Sequence, residues 1–466
     1  MNNSRAADAY DVIIVGGGPA GLFAAHYLSV HSSLRVLMIE KGKPPKSRRC
    51  PMEKGGECQK CRPCQILSGI GGAGLFSDGK LNFIPRLGKT DLTQFLPRDK
   101  AEALINETEA IFDAYGMNGP VFPSDMEKAR ALQRDAKKVG INLLLIKQKH
   151  LGSDCLPGYI STMMADLEKR VTLHTAEAVT DITIAPDGGK IIETDKQRYT
   201  APDVILAPGR AGADWMAGLA RKFDIPVSQR GIEVGVRVEV HADITRDLCE
   251  VIYDPTFFIQ TRKYDDETRT FCTNQGGYVT QEFYQDFVCV NGHAFTDKKS
   301  DNANFAFLSK VVLTDPVTDN QSYGEAIGRL ATLIGGGKPL LQRFGDLKRG
   351  RRSTWPRIRK SYIEPTLKNV VCGDIAMALP ERLLANVVEG LEKLNQVVPG
   401  VSNDETLLYA PEIKFFATQT ETTSDLETRV PGLFVAGDGP GVAGNIVSAA
   451  ATGLIPAKAI LSRQSP

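Results

Sequence analysis

The run DVIIVGGGPAG, Asp11 to Gly21, constrains this chain more than any other feature in it. An apolar, β-branched stretch, Val12 to Val15, leads straight into Gly16, Gly18 and Gly21, and an apolar helical pattern follows from Leu22 to Leu28. A second apolar stretch, Val36 to Ile39, ends in Glu40 and Lys41. Strand, glycine turn, helix, strand and acid together form a dinucleotide fingerprint in its proper context. Gly16 permits the tight turn, Gly18 lets backbone amides approach a pyrophosphate that a Cβ would block, and Gly21 lets helix and strand pack closely. The helix opens at Pro19, which has no N–H, and from Ala20 on it offers unpaired N–H groups and partial positive charge to the phosphates. Glu40 is placed to accept hydrogen bonds from a ribose diol.

The spacing alone would prove little, because the pattern G-x-G-x-x-G recurs at Gly69–Gly74 and Gly439–Gly444. Only the first copy has a strand before it, an apolar helix after it and a downstream acid. The 466 residues can bury a large core and suggest two or three domains. With a net charge of +1, no global field directs the chain to nucleic acid or to a membrane. No apolar stretch long enough to span a bilayer and no secretion signal are expected. Nine cysteines, four of them clustered, fit a reducing compartment, so a cytoplasmic α/β protein is expected.

The order of elements is informative. The nucleotide fold opens at the N-terminus, resumes with a β-meander from Val171 to Arg198, and continues with the apolar strand and turn Val204 to Gly209. It is completed only by Leu433 to Asp438 and the closing helix, Ile446 to Ile460. Residues 1–220 and 405–466 are therefore expected to form one discontinuous nucleotide-binding domain. Residues 42–64 make a Cys-rich excursion from it, and residues 83–149 a largely helical insertion. Residues 221–404 are expected to form an inserted α+β substrate or cap domain. A simple nicotinamide dehydrogenase has no need of a returning C-terminal segment, whereas the long FAD molecule needs a floor far from the first phosphate loop.

The stretches DVIIVGGGPAGLFAA, DVILAPGR and GLFVAGDGPGVAGNIVSAAATGL resemble FAD-dependent oxidoreductases of the glutathione-reductase-like fold. GGAGLFSDGKLN, HLGSD, RTFCTNQGGYV, NANFAF and the cysteine run narrow the resemblance to bacterial FAD-dependent dehydrogenases of largely unassigned substrate. The resemblance implies a Rossmann-type FAD-binding domain, a parallel sheet plus β-meander, carrying the inserted domain. It implies that Asp438, after Gly437, bonds a ribityl hydroxyl and that Gly444, Asn445 and Ile446 present a helix N-terminus to the flavin N1–C2 edge. A helix N-terminus favours the negative charge of reduced flavin by roughly 0.3–1 kcal/mol. Val179 would contact adenine through its backbone, and Ala207 and Gly209 would line the cofactor. Pro208 departs from the commoner Ala-Thr-Gly ending, and it has no N–H to offer.

The resemblance also lays Gly71, Gly72 and Gly74 against the flavin. That makes Ser77, Asp78 and Lys80 the candidate catalytic groups, against the plainer reading of a structural turn at Asp78-Gly79. In the inserted domain, Asn274, Gln275 and Tyr278 either line a pocket or belong to a self-satisfied hairpin. Arg237, inside VGVRVEV, reads as a solvent-facing strand residue, and His26 and His174 as structural or exposed. The basic run Lys348–Lys360, with Trp355 inside it, is either a solvated loop or a grip for an anion, and one local patch argues against nucleic-acid binding.

Cys58, Cys61 and Cys64, with Cys50 upstream, have spacing suited to zinc or an iron–sulfur cluster, to a redox dithiol, or to reduced loop cysteines. The expected function is hydride transfer between flavin N5 and a small organic substrate, with an electron donor or acceptor that can but need not be NAD(P)H. An electron-transfer flavoprotein with a Cys-ligated centre and a non-redox nucleotide-binding protein are the alternatives. Oligomeric state does not follow from these residues.

Overall fold

The computed structural model describes residues 8–51, 59–88, 90–152, 154–284, 286–295, 298–314, 319–415 and 418–464. The chain divides into two units: Met1–Pro120 with Lys149–Ser228 and Ala417–Pro466, and Val121–Gln148 with Gln229–Phe416. Both units are discontinuous in the chain. Val121–Gln148, expected inside the first domain's helical insertion, instead belongs to the second unit. Its strand Ile141–Leu144 pairs there with Thr256–Gln260. Strand pairing, not helical periodicity, decides where that segment goes.

In the first unit a five-stranded parallel sheet runs in the spatial order Thr172–Thr175, Val36–Glu40, Val12–Val15, Asp203–Leu206, Leu433–Val435. Val12 to Val15 occupy the centre and are buried along their whole length. Their continuous apolar character fits strands covered on both faces. The opening helix Pro19–His31 and the closing helix Ile446–Gln464 pack on each other. A Cβ on Gly453 would lie 2.0 Å from the carbonyl oxygen of Ala20, so this contact is backbone against backbone. A second sheet, the meander Val179–Ile184, Lys190–Thr194 and Arg198–Ala201, adds Asp8–Ala9 at its edge.

The closing helix is long and apolar enough, by length and composition, to cross a bilayer, although no such stretch was expected. Its window has a mean hydropathy of 1.2 and is 72% buried. Burial on that scale is what a core helix shows.

The second unit is built on an eight-stranded sheet with Ile232–His241 and Asn302–Val311 near its middle. Val234, Val236, Val238 and Val240 alternate onto one face, where Leu383, Val387 and Leu391 of the helix Glu381–Leu394 share their core. The other face carries Glu233, Arg237 and Glu239, and all three are buried. Arg237, read from the alternation as solvent-facing, is 0% exposed. It forms a bidentate pair with Glu412 (2.7 and 2.6 Å) and donates to the Cys272 carbonyl (2.9 Å), Asn304 (3.3 Å) and Asn291 (3.1 Å). The hairpin Tyr278–Phe283 with Val288–His293 covers this face, and a Cβ on Gly292 would meet Arg237 Nη1 at 2.6 Å. Period-two alternation identifies two faces, but it does not say which one is left to water.

Breaking a buried ion pair from one side strands a charge, which costs about 3–5 kcal/mol. Arg237→Met should therefore destabilise the protein on that scale in urea titrations, and Arg237→Met with Glu412→Leu should recover much of the loss. An unchanged midpoint for the single variant would put Arg237 back on a solvated face.

Candidate functional site

Three backbone features meet where the parallel strands end. The first is the fingerprint turn. Gly16 has φ +111°, and a Cβ there would lie 2.1 Å from the Ala207 carbonyl oxygen. A Cβ on Gly21 would lie 1.9 Å from the Gly16 carbonyl oxygen. Both positions need glycine for reasons internal to the fold. Gly18 differs, because a Cβ there would find its nearest neighbour, Gly72 Cα, at 3.8 Å. Among the described residues none crowds that position, so the space in front of the turn is open. Gly18 also caps the opening helix without any side-chain hydrogen bond, and Pro19 begins it. The first-turn amides therefore have no intrahelical acceptor and suit a pyrophosphate.

The second feature is the glycine loop. Gly71 donates to the Gly17 carbonyl at 2.8 Å, and a Cβ on Gly72 would meet Gly18 Cα at 3.1 Å. The loop thus lies on the fingerprint turn and ends in a short turn of 3-10 helix, Gly72–Phe76. A Cβ on Gly74 would sit 3.4 Å from Ile446 and 4.0 Å from Pro19, the first residues of the closing and opening helices. The third feature is the start of the closing helix. Asn445 Oδ1 accepts from Ser448 N (2.9 Å) and Ser448 Oγ accepts from Asn445 N (3.2 Å), a reciprocal cap. Ser448 also bonds the buried Thr90 hydroxyl at 3.0 Å, and Gly437 N donates to Thr452 Oγ at 3.0 Å.

Glu40 holds the site together. Its carboxylate accepts from the amides of Gly17 (2.7 Å), Gly42 (2.7 Å) and Gly69 (2.9 Å). A carboxylate offers about four acceptor positions, so one remains for a diol hydroxyl. The Glu40 carbonyl receives Glu177 N at 3.1 Å, which brings Val179, two residues further along, to the same end of the sheet. Lys41 Nζ donates to the Ala211 carbonyl at 3.1 Å. Ala207 N continues the sheet to the Val15 carbonyl at 2.8 Å, and Gly209 takes φ +64°. Asp438 Oδ2 accepts from Arg210 Nε at 3.1 Å.

Ser77 donates to the Gly74 carbonyl (2.7 Å) and accepts from Gly79 N (3.2 Å), closing the loop's turn. Asp78 and Lys80 form a sheltered ion pair at 3.0 Å. Burial opposes ionisation of Asp78, but Lys80 and His150 outweigh it and hold the carboxyl below the usual carboxylate range. The expected cofactor residues thus fall in one region. Arg48, Arg210, Thr452 and Ser448 were not singled out from sequence. Their partners are backbone groups or distant side chains, and only a reciprocal cap at Asn445 and Ser448 carried a local signal.

Other candidates find partners elsewhere. His26 bonds the Tyr115 hydroxyl at 2.8 Å, and His174 the Tyr199 hydroxyl at 2.6 Å. In the second unit Asn274 donates to the Cys272 carbonyl (3.0 Å) and Asn304 (3.3 Å), Gln275 donates to the Ala242 carbonyl (2.8 Å), and Tyr278 meets Phe295 edge-on. In the basic run, Lys348 and Arg349 pair with Asp404, and Arg351 and Arg357 with Asp346. Those cations are already matched by acids. Cys50, Cys61 and Cys64 are free thiols, and Cys58 lies outside the described residues. Among the described residues no three His, Cys, Asp or Glu side chains are grouped to hold a metal, so Cys50, Cys61 and Cys64 do not converge on one.

The opening helix N-terminus, the buried Glu40 carboxylate and the closing helix N-terminus thus meet at one glycine loop. Residues 10–215 match the pyridine nucleotide-disulphide oxidoreductase family, and residues 252–415 the family described as FAD-dependent protein, C-terminal domain-like. The chain is an FAD-dependent oxidoreductase. It is 24% identical over 478 residues to an uncharacterized protein of Clostridium beijerinckii, covering 97% of this chain and 80% of that one. Among solved structures it resembles glycine oxidase from Geobacillus kaustophilus (15% identity, 98% and 95% of the two chains, TM-score 0.39). It also resembles L-proline dehydrogenase from P. horikoshii (11% identity, 98% and 94% of the two chains, TM-score 0.40).

The two glycines separate fold from ligand. Gly18→Ala should leave the apoprotein's melting temperature unchanged while weakening FAD binding by about 100-fold, since the added methyl meets only the cofactor. Gly21→Ala should instead cost about 1–3 kcal/mol of stability through its clash with Gly16. Equal FAD affinity for Gly18→Ala and wild type would remove the pyrophosphate from this turn.

Proposed function

We propose that the chain transfers a hydride between flavin N5 and a small organic substrate, with FAD held as its resident cofactor. The supporting observation is the meeting of both helix N-termini at one glycine loop, through Gly18 against Gly72 and Gly74 against Ile446. In this reading the turn Gly16–Gly18 lies under the pyrophosphate, Pro19 starts the helix without an N–H, and the amides of Ala20 and Gly21 face the phosphates. Glu40 takes a ribose hydroxyl with its remaining acceptor site, and the Val179 backbone meets adenine. Asp438, kept in place by Arg210, takes a ribityl hydroxyl. The start of the closing helix, Gly444, Asn445 and Ile446, lies at the flavin's N1–C2 edge.

Bound flavin supplies two-electron chemistry that no side chain can perform. The protein's own residues position the cofactor, keep water from it and offset charge. The first-turn amides of the closing helix favour negative charge near them by about 0.3–1 kcal/mol. The glycine loop allows backbone to lie close to a flat ring. Ser77, Asp78 and Lys80, directly after that loop, are the proposed polar groups on the reacting side. Lys80 keeps Asp78 ionised, and the pair can hold a proton-bearing substrate group. NAD(P)H is one donor that would serve this chemistry. Nine cysteines in a chain of 466 residues, four of them clustered, support a reducing, cytoplasmic setting.

Asp438→Ala should yield folded protein that has lost most of its visible flavin absorption, with Asp438→Asn retaining part of it. Full flavin content in the alanine variant would move the ribityl contact elsewhere. Protein that takes up no FAD in either form, wild type included, would overturn the function itself.

A further inference from the structure

Arg48 lies in the excursion after Glu40 and is 1% exposed. Its guanidinium donates to the carbonyls of Gln65 (2.9 Å), Ile66 (2.7 Å), Ile70 (2.9 Å) and Gly72 (2.8 Å). It also lies over the Phe76 ring at 4.8 Å. Its hydrogen bonds thus run to the glycine loop and the residues leading into it. Burial pulls the guanidinium down to about 10, and Glu40 partly offsets that effect. Glu40 and Arg48 therefore face the loop as a buried anion and cation, with the loop's own peptides between them. Glu40 takes the Gly69 amide, and Arg48 takes the carbonyls on either side of Gly71.

We propose that Arg48 is a positioning residue for FAD: it shapes the Gly69–Phe76 loop into a cofactor-ready seat before the cofactor binds. This rests on the FAD reading above and adds a role to it. In a trans peptide the carbonyl and the following N–H point in opposite directions. Holding the Ile70 carbonyl thus aims the Gly71 amide at Gly17, where its hydrogen bond measures 2.8 Å. Holding the Gly72 carbonyl turns the amide of Ala73, an exposed residue, away from Arg48 and onto the open side of the loop. Glycines at φ +124°, +90° and +60° (Gly69, Gly71, Gly72) have many other conformations available. A cation with several fixed donors selects one of them. The planar fork matters here, because an ammonium is a point charge with three donors and cannot hold four carbonyls at once. The ordering is made in the apoprotein, so FAD does not have to supply it on binding.

The test compares wild type, Arg48→Lys and Arg48→Met as purified apoproteins reconstituted with FAD. Amide exchange across residues 66–76 should accelerate at least about tenfold in both variants without FAD, while exchange in the sheet strands stays as in wild type. FAD affinity should fall by about tenfold for Arg48→Lys and about 100-fold for Arg48→Met, and the bound flavin's visible bands should shift and lose resolution. A general loss of stability would not produce that spectral change. If Arg48→Met fails to fold, Arg48→Lys decides the matter. Folded variants with wild-type loop exchange, affinity and spectrum would overturn the proposal. A wild type that binds no FAD would instead sink the cofactor reading, while exchange in the apoprotein would still report whether Arg48 holds the loop.

Discussion

The first unit depends on one backbone contact, the Ala20 carbonyl resting against Gly453. A side chain at Gly453 would force the opening and closing helices apart, since its Cβ would fall 2.0 Å from that oxygen. Because they touch, the closing helix begins beside the helix of the fingerprint. The segment Leu433–Val435 then completes the parallel sheet next to Asp203–Leu206. The two helix starts therefore meet at one glycine loop, with Gly18 against Gly72 and Gly74 against Ile446.

Two buried ionic groups then shape the loop within this frame. Glu40 is 6% exposed and Arg48 is 1% exposed, and each is satisfied by backbone groups instead of by the other. Buried charges are tolerated only when hydrogen-bonded, and here the bonds go to peptides that would otherwise be free to move. The glycines provide conformational range and the charges narrow it. This division explains how a loop so rich in glycine can form a defined surface.

The second unit follows the same rule. Arg237 with Glu412 and Arg269 with Glu233 are bidentate pairs on the buried polar face of a sheet whose opposite face is aliphatic. Those pairs, with Asn274 and Asn304, are buried polar groups that find their partners within the sheet.

Much of the first unit was legible in the chain. The strand–glycine–helix run, Glu40 at the end of the next strand and the returning segment at Leu433–Asp438 all follow local rules of period, turn and cap. They placed the parallel sheet and the meander without coordinates. What the sequence could not determine was which distant groups would meet. The partners of Arg48 are four carbonyls, and a carbonyl leaves no mark on residue identity. Arg237 reads as exposed because alternation says nothing about which face a hairpin will cover. The segment 121–148 sits in a largely helical stretch of sequence, yet its strand Ile141–Leu144 pairs with Thr256–Gln260, more than a hundred residues away. Sequence determines what each segment prefers to be, through short-range sterics and hydrophobic period. Tertiary structure decided which buried charges face which peptides, because that depends on contacts between residues far apart in the chain.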